Sequence, residues 1–557
     1  MQYTAITIGP IFRTMQIAES SKAIWSASYL FSYIMKQIYT YVEKEVGEKN
    51  IILPYADKSL MKRNLKAGLF PDRIIFIGKL TDFETKKSEI INNLAALIAN
   101  DIAVDLELVQ KYLSNYLVIN CVEKELSESD NAVDIMNKYL DTSELFQKTN
   151  LYVDNSYLSD FFEKKPDEDS NNPSDVAEKK SNSYNKFITD EFGKQPVPSI
   201  NQIATAKLKH RVKSSRKEDD NFYDNVKKEK PEEFRNFHKY IAIVQADGDN
   251  FGKFNEALYA LSNDIRHDYI VQLSKNLTKF SKASLKIVRK WSGVPIYAGG
   301  DDLLFFAPIA DIEKVEMKKS NAEKADGEEA QSVKCTVKED IFDVLNRIDA
   351  KFNELFTEYN KEGDVDFKGV IEKLEKKPSM SYGITITYYK FPLDQALSNV
   401  YSMLEKAKKG NKNAVSLQII KHSGQAFYAR FDKADSSYRE LKKLYSDLSV
   451  NDDFISGFMY KLHPLTTVLK EIALEQDEEK RNNRIDAFFE NFFDEDIHKK
   501  QLNDENGFLK KVRELIQKIY TEHPLTTENA EKQHKINLDK LYSGLRFYQF
   551  INAKDEK

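Results

Sequence analysis

Two short segments of the sequence place carboxylates beside glycines, a combination that suits a divalent cation bound together with a phosphate. Residues 245–253 read QADGDNFGK and residues 299–302 read GGDD. In the first segment, Asp247 offers a hard oxygen ligand for a cation. The backbone N–H groups of Asn250, Phe251 and Gly252 enter the following helix and are expected to face the phosphates. Taken alone, this segment also fits an ordinary helix-capping turn, in which Asp and Gly are common.

The GGDD segment favours the chemical interpretation of both segments. It lies between two apolar runs, residues 295–298 and 303–306, where a tight hairpin turn is expected. Such a turn needs flexible residues, here Gly299 and Gly300, but it gains nothing from adjacent carboxylates at Asp301 and Asp302. Like charges side by side are costly unless a cation neutralises them. A plain Gly-Asp turn is the competing interpretation.

A ferredoxin-like sheet would bring the two segments together, because its first and third strands are neighbours. Asp247 would then meet Asp301 and Asp302, and the three carboxylates would hold two Mg²⁺ or Mn²⁺ ions. Such ions polarise an α-phosphate, lower the pKa of an attacking 3′-hydroxyl and stabilise the pyrophosphate leaving group. Gly299 and Gly300, which lack side chains, would let the backbone approach the nucleotide closely.

A third segment, residues 407–413 with the sequence AKKGNKN, ends a helix and precedes a strand. Its lysines, Lys408 among them, are placed to neutralise the β- and γ-phosphates of a nucleotide. The competing interpretation is a solvated helix C-terminus, where lysines are favoured by the helix dipole.

The elements that must position these residues follow a recognisable order in residues 238–420. The hydrophobic pattern predicts a strand over 240–246, a helix over 254–291, a hairpin over 295–306 and a helix over 339–359. A strand over 380–388, a helix over 393–408 and a strand over 414–419 follow. This β-α-β-β-α-β order with one additional helix-strand unit is the ferredoxin-like plan of palm domains. Residues 311–336, rich in Lys, Glu and Ala, are expected to be an inserted loop.

The remaining chain divides into three further regions. Residues 1–150 alternate strand-like and helical patterns, which predicts an α+β domain, and residues 421–557 are predicted to form a helical bundle. Residues 151–237 are interpreted as a linking region with short helices. Within it, residues 163–184 hold almost no apolar side chains and are expected to be a disordered acidic loop. A basic run over 207–217 is either an RNA-backbone contact or a solvated linker.

Composition sets limits on the class of protein. With 557 residues, three or four domains are expected, and 41% hydrophobic with 31% charged residues is typical of a globular protein. The apolar stretch over 24–42 carries Ser, Lys and Gln, so it predicts an amphipathic helix rather than a membrane span. Two cysteines, Cys121 and Cys335, exclude a disulfide framework or a CxxC zinc site and fit a reducing cytoplasm. The net charge of −5 means that RNA contacts must come from local basic stripes or partner subunits.

The three segments, in this order and spacing, resemble the large subunit of type III CRISPR effector complexes, the Cas-ten family, whose palm domain is related to GGDEF and class III nucleotide cyclases. Shorter runs resemble its type III-B (Cmr) branch: IGP at 8–10, IWSASYL at 24–30, SYGI at 381–384, YKFPL at 389–393 and HSGQ at 422–425. The resemblance therefore spans most of the chain.

The resemblance implies two palm domains, of which the N-terminal one is degenerate and the second is catalytic, and a helical C-terminus that contacts a small subunit and target RNA. By position, Asp247 and Asp301 would be the principal metal ligands, with the carbonyl of Gly248 as a backbone ligand. Asp302 would assist the second metal or the 3′-hydroxyl, and Lys408 would contact phosphate. The role of the Asp249 side chain is left open.

The implied function is synthesis of a signalling nucleotide from ATP when an assembly with crRNA and other Cmr subunits binds target RNA. The product would be a cyclic oligoadenylate, or AMP joined to another acceptor such as S-adenosylmethionine. No HD nuclease is expected, because the palm-like region starts within the first ten residues. The only His-Asp pair, at His267 and Asp268, also lacks the partner residues of a metal-dependent HD site. The zinc-binding cysteines of relatives are missing as well.

Two other functions remain open from the sequence. One is a scaffold subunit with an inactive palm that anchors crRNA and partner proteins, although a scaffold has no need of adjacent carboxylates on a hairpin. The other is a free-standing nucleotide cyclase. That function would leave roughly the first 230 and the last 130 residues without a role.

Overall fold

The structure is a computed structural model that describes most of the chain. The described residues are all those outside 57–59, 61–64, 146–156, 165–183, 194–196, 209–220, 230–232, 317–332, 358–364, 366, 446–451, 494–506 and 555–557. The acidic segment expected to be a loop therefore lies almost entirely outside the described residues. The same is true of the basic run beyond residue 208.

The N-terminal region is an α+β domain with a four-stranded antiparallel sheet in the order β2-β3-β1-β4. This is the ferredoxin-like strand order, so the expected palm-like topology is confirmed. The strands are β1 (Gln2–Gly9), β2 (Ile51–Leu53), β3 (Arg73–Ile77) and β4 (Val118–Glu125). The helices are α1 (Ile11–Gln16), α2 (Ser21–Val46), α3 (Phe83–Ile102), α4 (Leu106–Tyr116) and α5 (Ala132–Leu145).

The sequence of helix α2 determines both of its ends and its buried face. The Ser20 hydroxyl accepts a hydrogen bond from the Ala23 N–H and caps the helix start, and Gly47 ends the helix with φ +83°. The apolar residues spaced by three and four positions, including Ile24, Leu30 and Ile34, are all buried. The amphipathic helix predicted from the sequence is therefore confirmed.

Among the described residues between the two sheet domains there are four short α-helices. They are α6 (Tyr157–Phe162), α7 (Lys186–Phe192), α8 (Ile200–Ala204) and α9 (Phe222–Glu229).

The second sheet has six strands in the order β12-β11-β10-β5-β7-β6. Its strands are β5 (Tyr240–Asp249), β6 (Val294–Gly299), β7 (Asp302–Ala307), β10 (Ser379–Tyr388), β11 (Ala414–Ile420) and β12 (Ala426–Asp432). The four strands β10-β5-β7-β6 form the ferredoxin-like unit, and β11 joins β10 in parallel as the additional strand. The second palm-like domain is therefore confirmed in topology.

The helices of this domain are α10 (Phe251–Tyr259), α11 (Asn263–Lys290), α12 (Ile341–Phe356), α13 (Lys368–Ile371) and α14 (Leu393–Lys408). The structure has two helices where the sequence predicted one over residues 254–291, because the first helix ends at Tyr259 and the second begins at Asn263. Ser262 stands at the N-cap of the second helix and Asp264 lies in its first turn, which are strong signals for a new helix start.

The two described ends of the segment 311–336 are strands rather than the expected loop, and its residues 317–332 lie outside the described residues. Strands β8 (Ala310–Glu316) and β9 (Val333–Asp340) pair as an antiparallel ribbon that leaves the sheet after β7 and returns directly into α12. Ile312 alternates with charged neighbours, as in a half-buried strand. The segment carries so many charged residues that this alternation does not stand out in the sequence.

The expected end of the palm domain at residue 420 is too early. Strand β12 pairs with β11 along its whole length, so the sheet continues to Asp432, and the region from residue 421 is not entirely helical. The alternation over 426–432 is weak because β12 is an edge strand. Six described helices follow: α15 (Ser436–Tyr445), α16 (Asp452–Leu462), α17 (Thr466–Ala473), α18 (Glu478–Phe492), α19 (Phe508–Glu522) and α20 (Ala530–Asn552).

One continuous apolar core runs through both sheet domains and the C-terminal helices. The N-terminal domain attaches to the outer edge of the second sheet, where the Ala298 N–H donates to the Gly68 carbonyl at 3.0 Å. Helix α11 also holds the N-terminal domain, because Thr278 donates to the Tyr55 carbonyl at 2.6 Å. Among the described helices, none is both long and apolar enough to cross a membrane.

Candidate active site

Strand β5 extends beyond the end of its neighbour β7, and the carboxylates of the first acidic segment lie on this extension. β5 pairs with β10 as far as Asp249, but it pairs with β7 only as far as Ala246. Asp247 and Gly248 therefore lie past the end of β7, next to the turn that joins β6 to β7. The strand order thus produces the convergence that the sequence predicted.

The GGDD segment is a tight turn held from below by helix α11. Gly299 pairs with Asp302 across the hairpin, and Gly300 has φ +68°, a conformation that favours glycine. The Ser281 hydroxyl donates to the Gly300 carbonyl at 2.9 Å. This contact fixes the turn that presents Asp301 and Asp302.

The carboxylate of Asp301 lies directly over Gly248. A side chain at residue 248 would overlap the Asp301 Oδ2 atom and the Phe251 ring. Gly248 is therefore required for the hairpin to approach β5 this closely. The contact also leaves the backbone at Gly248 beside a carboxylate, as a backbone metal ligand would need.

The three carboxylates interact strongly with one another. Burial and the negative charge of Asp247 raise the pKa of Asp301 to about 6. Enclosure by the protein and the charges of Asp247 and Asp301 raise the pKa of Asp302 well above its usual range. Solvent still reaches the Asp302 side chain, so burial acts less strongly there than full enclosure would, and the charges of Asp247 and Asp301 add to the upward shift. Burial also raises the pKa of Asp247. Such a cluster of like charges is the environment that a divalent cation stabilises.

Lys408 enters the cluster from the end of α14. Its ammonium group forms an ion pair with Asp247, and both side chains are about one quarter exposed. Burial lowers the pKa of Lys408, but the charge and hydrogen bond of Asp247, together with the charges of Asp302 and Asp249, outweigh it and the net shift is upward. The structure thus places Lys408 with Asp247, Asp301 and Asp302.

A glycine on β10 allows α14 to lie close enough for this ion pair. A Cβ atom at Gly383 would overlap the backbone N of Leu404 and come within 2.5 Å of the Val400 carbonyl oxygen. Helix α14 can therefore pack closely against the sheet because Gly383 has no side chain. Lys408 lies one helical turn beyond Leu404.

The turn after β5, residues 250–252, fits the predicted phosphate-binding role in its backbone but not in the Phe251 side chain. Asn250 adopts φ +65° at the start of α10 and donates from Nδ2 to the Lys377 carbonyl at 3.0 Å. The Phe251 ring packs against Phe352 and Phe356, so it belongs to an aromatic core. Gly252 has open space beside its Cα. Backbone N–H groups of this turn can serve a phosphate, whereas the Phe251 ring is engaged in packing.

Asp249 is the functional residue whose role the sequence left open. It is fully buried, and its Oδ2 accepts hydrogen bonds from Ser379 Oγ (2.9 Å), Ser381 Oγ (2.8 Å) and the Asn413 N–H (3.0 Å). Asp249 therefore ties β5 to β10 and to the loop after α14. The signal for this tie is the Ser-x-Ser spacing at the start of β10, which matches the Asp-x-Asp spacing on β5 in antiparallel register.

The donor set fits a hard divalent cation. Asp247, Asp301 and Asp302 supply carboxylate oxygens, the Gly248 backbone lies beside them, and no described sulfur or imidazole ligand lies among them. Oxygen-only donor sets select Mg²⁺ or Mn²⁺ over softer metals.

A cavity of about 190 Å³ opens beside the hairpin between the two sheet domains. Asp301 and Asp302 line it from the second domain, and Phe70, Asp72 and Arg73 line it from the first. The candidate site is thus completed by the N-terminal domain.

Three other groups of residues do not extend this site. Asp435, Glu522 and His523 lie together, but the Lys540 ammonium contacts both Asp435 and His523 and opposes a second cation there. His267 and Asp268 lie on the exposed side of α11. Of the basic run, Lys207 is described, and its ammonium lies 3.6 Å from the centre of the Trp291 ring.

The fold and the site define a protein built on palm domains of the nucleotidyltransferase and cyclase class. Residues 240–416 match the family model described as Cas10/Cmr2, second palm domain. Residues 3–128 match the model described as CRISPR-associated protein Cmr2, N-terminal. The two matches together cover more than half of the chain, and the chain belongs to the Cas10/Cmr2 family.

Comparisons with individual proteins agree with the family. The CRISPR system Cmr subunit Cmr2 of Pyrococcus furiosus is 26% identical over 216 residues, which are 35% of this chain and 20% of that protein. The match thus spans one fifth of that relative's length. A chain of the type III-B Cmr-beta cryo-EM structure in the apo state aligns with a TM-score of 0.55 at 13% identity. The alignment covers 98% of this chain and 82% of that chain, which establishes a common fold.

Proposed function

We propose that the chain is the large subunit of a type III-B CRISPR effector complex and uses ATP and two divalent cations to synthesise a signalling nucleotide. The observation that carries the proposal is the convergence of Asp247, Asp301 and Asp302, with Lys408 paired to Asp247. A purely structural hairpin has no use for this costly cluster of carboxylates.

The proposed ligands for the cations, Mg²⁺ or Mn²⁺, are the carboxylates of Asp247 and Asp301 and the backbone carbonyl of Gly248. When bound, the cations polarise the α-phosphate and stabilise the pyrophosphate leaving group. Asp302, the carboxylate at the solvent side, would orient the acceptor hydroxyl. Lys408 would exchange its ion pair with Asp247 for contacts to the β- and γ-phosphates. The backbone N–H groups from Asn250 to Gly252 would hold the phosphates against α10.

The wider setting belongs to the same proposal. Other Cmr subunits, crRNA and target RNA would be the partners, target RNA binding would start synthesis, and the complex would work in the cytoplasm. The product would be a cyclic oligoadenylate, or AMP transferred to another acceptor such as S-adenosylmethionine.

The test is mass spectrometry of the products that the assembled complex forms from ATP and Mg²⁺ with target RNA. Reactions with and without S-adenosylmethionine identify the acceptor. Asp301→Ala combined with Asp302→Ala should abolish ATP consumption while the complex still assembles. An equal yield of product from this double variant would contradict the two-metal site. Assembly without any ATP-derived product in the unaltered complex would instead identify a scaffold subunit.

A further inference from the structure

A second cavity lies beside the start of β10, and Asn250, in the turn after β5, is among its lining residues. It measures about 920 Å³ and is enclosed by α12, the start of β10, the loop after α14, and helices α15 and α20. This volume is in the range of small-molecule sites. None of the proposed catalytic residues Asp247, Asp301, Asp302 or Lys408 lines it.

The charge of the lining favours an anion. Among its ionisable groups, Lys433 is already paired with Asp349 at 2.7 Å, and the Tyr382 hydroxyl also donates to Asp349. Three solvent-exposed cations, Lys376, Lys377 and Arg439, are then balanced by one carboxylate, Asp343, which caps the start of α12. The mouth of the cavity therefore carries excess positive charge.

The walls offer separate apolar and hydrogen-bonding surfaces. Rings of Phe342 and Phe431 pack against Tyr438 with centroid separations of 6.0 and 6.1 Å, and they form an aromatic corner. Carboxamides line the facing side, among them Asn346, Asn353 and Asn413. An aromatic surface, amide groups and cations together are what a base, a ribose and phosphates require.

One polar group of the lining lacks a partner within the protein. The hydroxyl oxygen of Tyr438 is buried and makes no hydrogen bond to the described residues. Burial and the negative charge of Asp349 raise the pKa of Tyr438 well above its usual range, so the hydroxyl keeps its proton and can donate. A buried donor without a partner costs stability, which a ligand in the cavity would restore.

We infer that this cavity binds a free nucleotide, with its phosphates at Lys376, Lys377 and Arg439 and a hydrogen bond from the Tyr438 hydroxyl. The cavity shares a wall with the candidate active site. Ser379 and Asn413 line the cavity and both donate to Asp249 Oδ2, which ties β5 to the loop after α14. Binding here does not require an active palm site.

The inference is tested on the full chain carrying Asp301→Asn and Asp302→Asn, in EDTA, so that the palm site binds no metal ions. Equilibrium dialysis with labelled ATP should still find one equivalent bound per chain. Adding Tyr438→Phe or Lys377→Glu should weaken this binding about three- to tenfold, as loss of one hydrogen bond or one phosphate contact predicts. Lys373→Glu, an exposed lysine on the same segment that does not line the cavity, should leave binding unchanged.

The thermal midpoint of the Tyr438→Phe variant should be unchanged or higher, because the substitution removes an unpaired donor. Absence of residual ATP binding would overturn the inference. Binding that neither Tyr438→Phe nor Lys377→Glu weakens would do the same. So would an RNA oligonucleotide that binds in a Lys377-dependent manner while ATP does not.

Discussion

At the scale of residues, the site is an arrangement of one ammonium group and three carboxylates. Lys408 balances Asp247, whereas Asp301 and Asp302 have raised pKa values because burial and the nearby negative charges disfavour their ionised forms. A divalent cation would relieve this repulsion and leave Lys408 free for phosphate. The same residues therefore predict both metal binding and a stability that depends on pH.

Asp301→Asn should stabilise the chain in EDTA at pH 8. The pKa of Asp301 in the folded protein is about 6, above its unfolded value, so its contribution to stability is present at low pH and is lost as the pH rises through 6. The substitution removes that loss, and the thermal midpoint should rise by roughly 1–3 °C at pH 8 and by about half as much at pH 5. Differential scanning fluorimetry at both pH values measures this.

The same variant provides a control for metal binding. Adding Mn²⁺ at pH 8 should raise the thermal midpoint of the unaltered chain and leave that of Asp301→Asn nearly unchanged. A variant that is less stable than the unaltered chain at pH 8 in EDTA would contradict the repulsion between Asp301 and Asp247.

Lys408→Met should impair use of ATP. It removes the charge that pairs with Asp247 and that would contact phosphate, so kcat/KM for ATP should fall about tenfold or more. Lys409→Met is the matched control, because Lys409 is the exposed neighbour at the end of the same helix. Pyrophosphate release by the assembled complex measures both variants, and equal losses for the two would remove the specific role of Lys408.

The sequence singles out the GGDD carboxylates, because adjacent charges in a turn are unusual, but it does not give the role of Asp249. GGDD carries an unusual pair of charges, and strand order alone then places it beside Asp247. The role of Asp249 depends on its alignment with Ser379 and Ser381 across 130 residues of chain, which only the register of β5 and β10 reveals. The packing of the Phe251 ring likewise depends on the position of α12.

At the scale of elements, the distance between α14 and the sheet decides where Lys408 lies. Gly383 sets this distance because any side chain there would overlap backbone atoms of α14. A strand interior ordinarily disfavours glycine, so its presence in β10 indicates this close approach.

Gly383→Ala should destabilise the protein and displace Lys408 from Asp247. The new methyl group must push α14 away, which should cost about 1–3 kcal/mol and lower ATP consumption. Gly369→Ala is the control, because no atom lies within 4 Å of the added methyl group there. Thermal unfolding and pyrophosphate release measure both, and a neutral Gly383→Ala would contradict the close packing.

The elements that the sequence misjudged share a physical cause. Strands β8 and β9 form a ribbon outside the main sheet, and β12 is an edge strand. None of the three lies in the centre of a sheet, where burial on both faces makes strands such as β5 and β10 easy to predict. The central strands β5 and β10 are buried on both faces, although one face of β10 carries Ser381, Thr385 and Thr387.

At the scale of the whole molecule, two ferredoxin-like domains are joined into one core, and the first contributes the far wall of the cavity beside GGDD. Domain order and the helical C-terminus could be predicted from pattern alone. How the domains dock could not, because part of the contact is made by backbone groups such as the Tyr55 carbonyl and the Gly68 carbonyl, which leave no trace in residue types.

Thr278→Val should loosen this docking. It leaves the Tyr55 carbonyl without the hydroxyl that donates to it, at a cost of about 1–2 kcal/mol. The thermal midpoint should fall, and limited proteolysis should separate the N-terminal domain faster. Thr142→Val, which removes an exposed hydroxyl bonded within its own helix, should change neither. The same proteolysis rate for both variants would contradict the docking contact.

The most direct test of the central claim is a count of Mn²⁺ ions bound with a non-hydrolysable ATP analogue, measured by electron paramagnetic resonance on the purified chain. The account predicts two ions per chain for the unaltered protein and a loss of both tight sites when Asp301→Asn and Asp302→Asn are combined. The same number of tightly bound ions in both proteins would show that these carboxylates do not form the metal site.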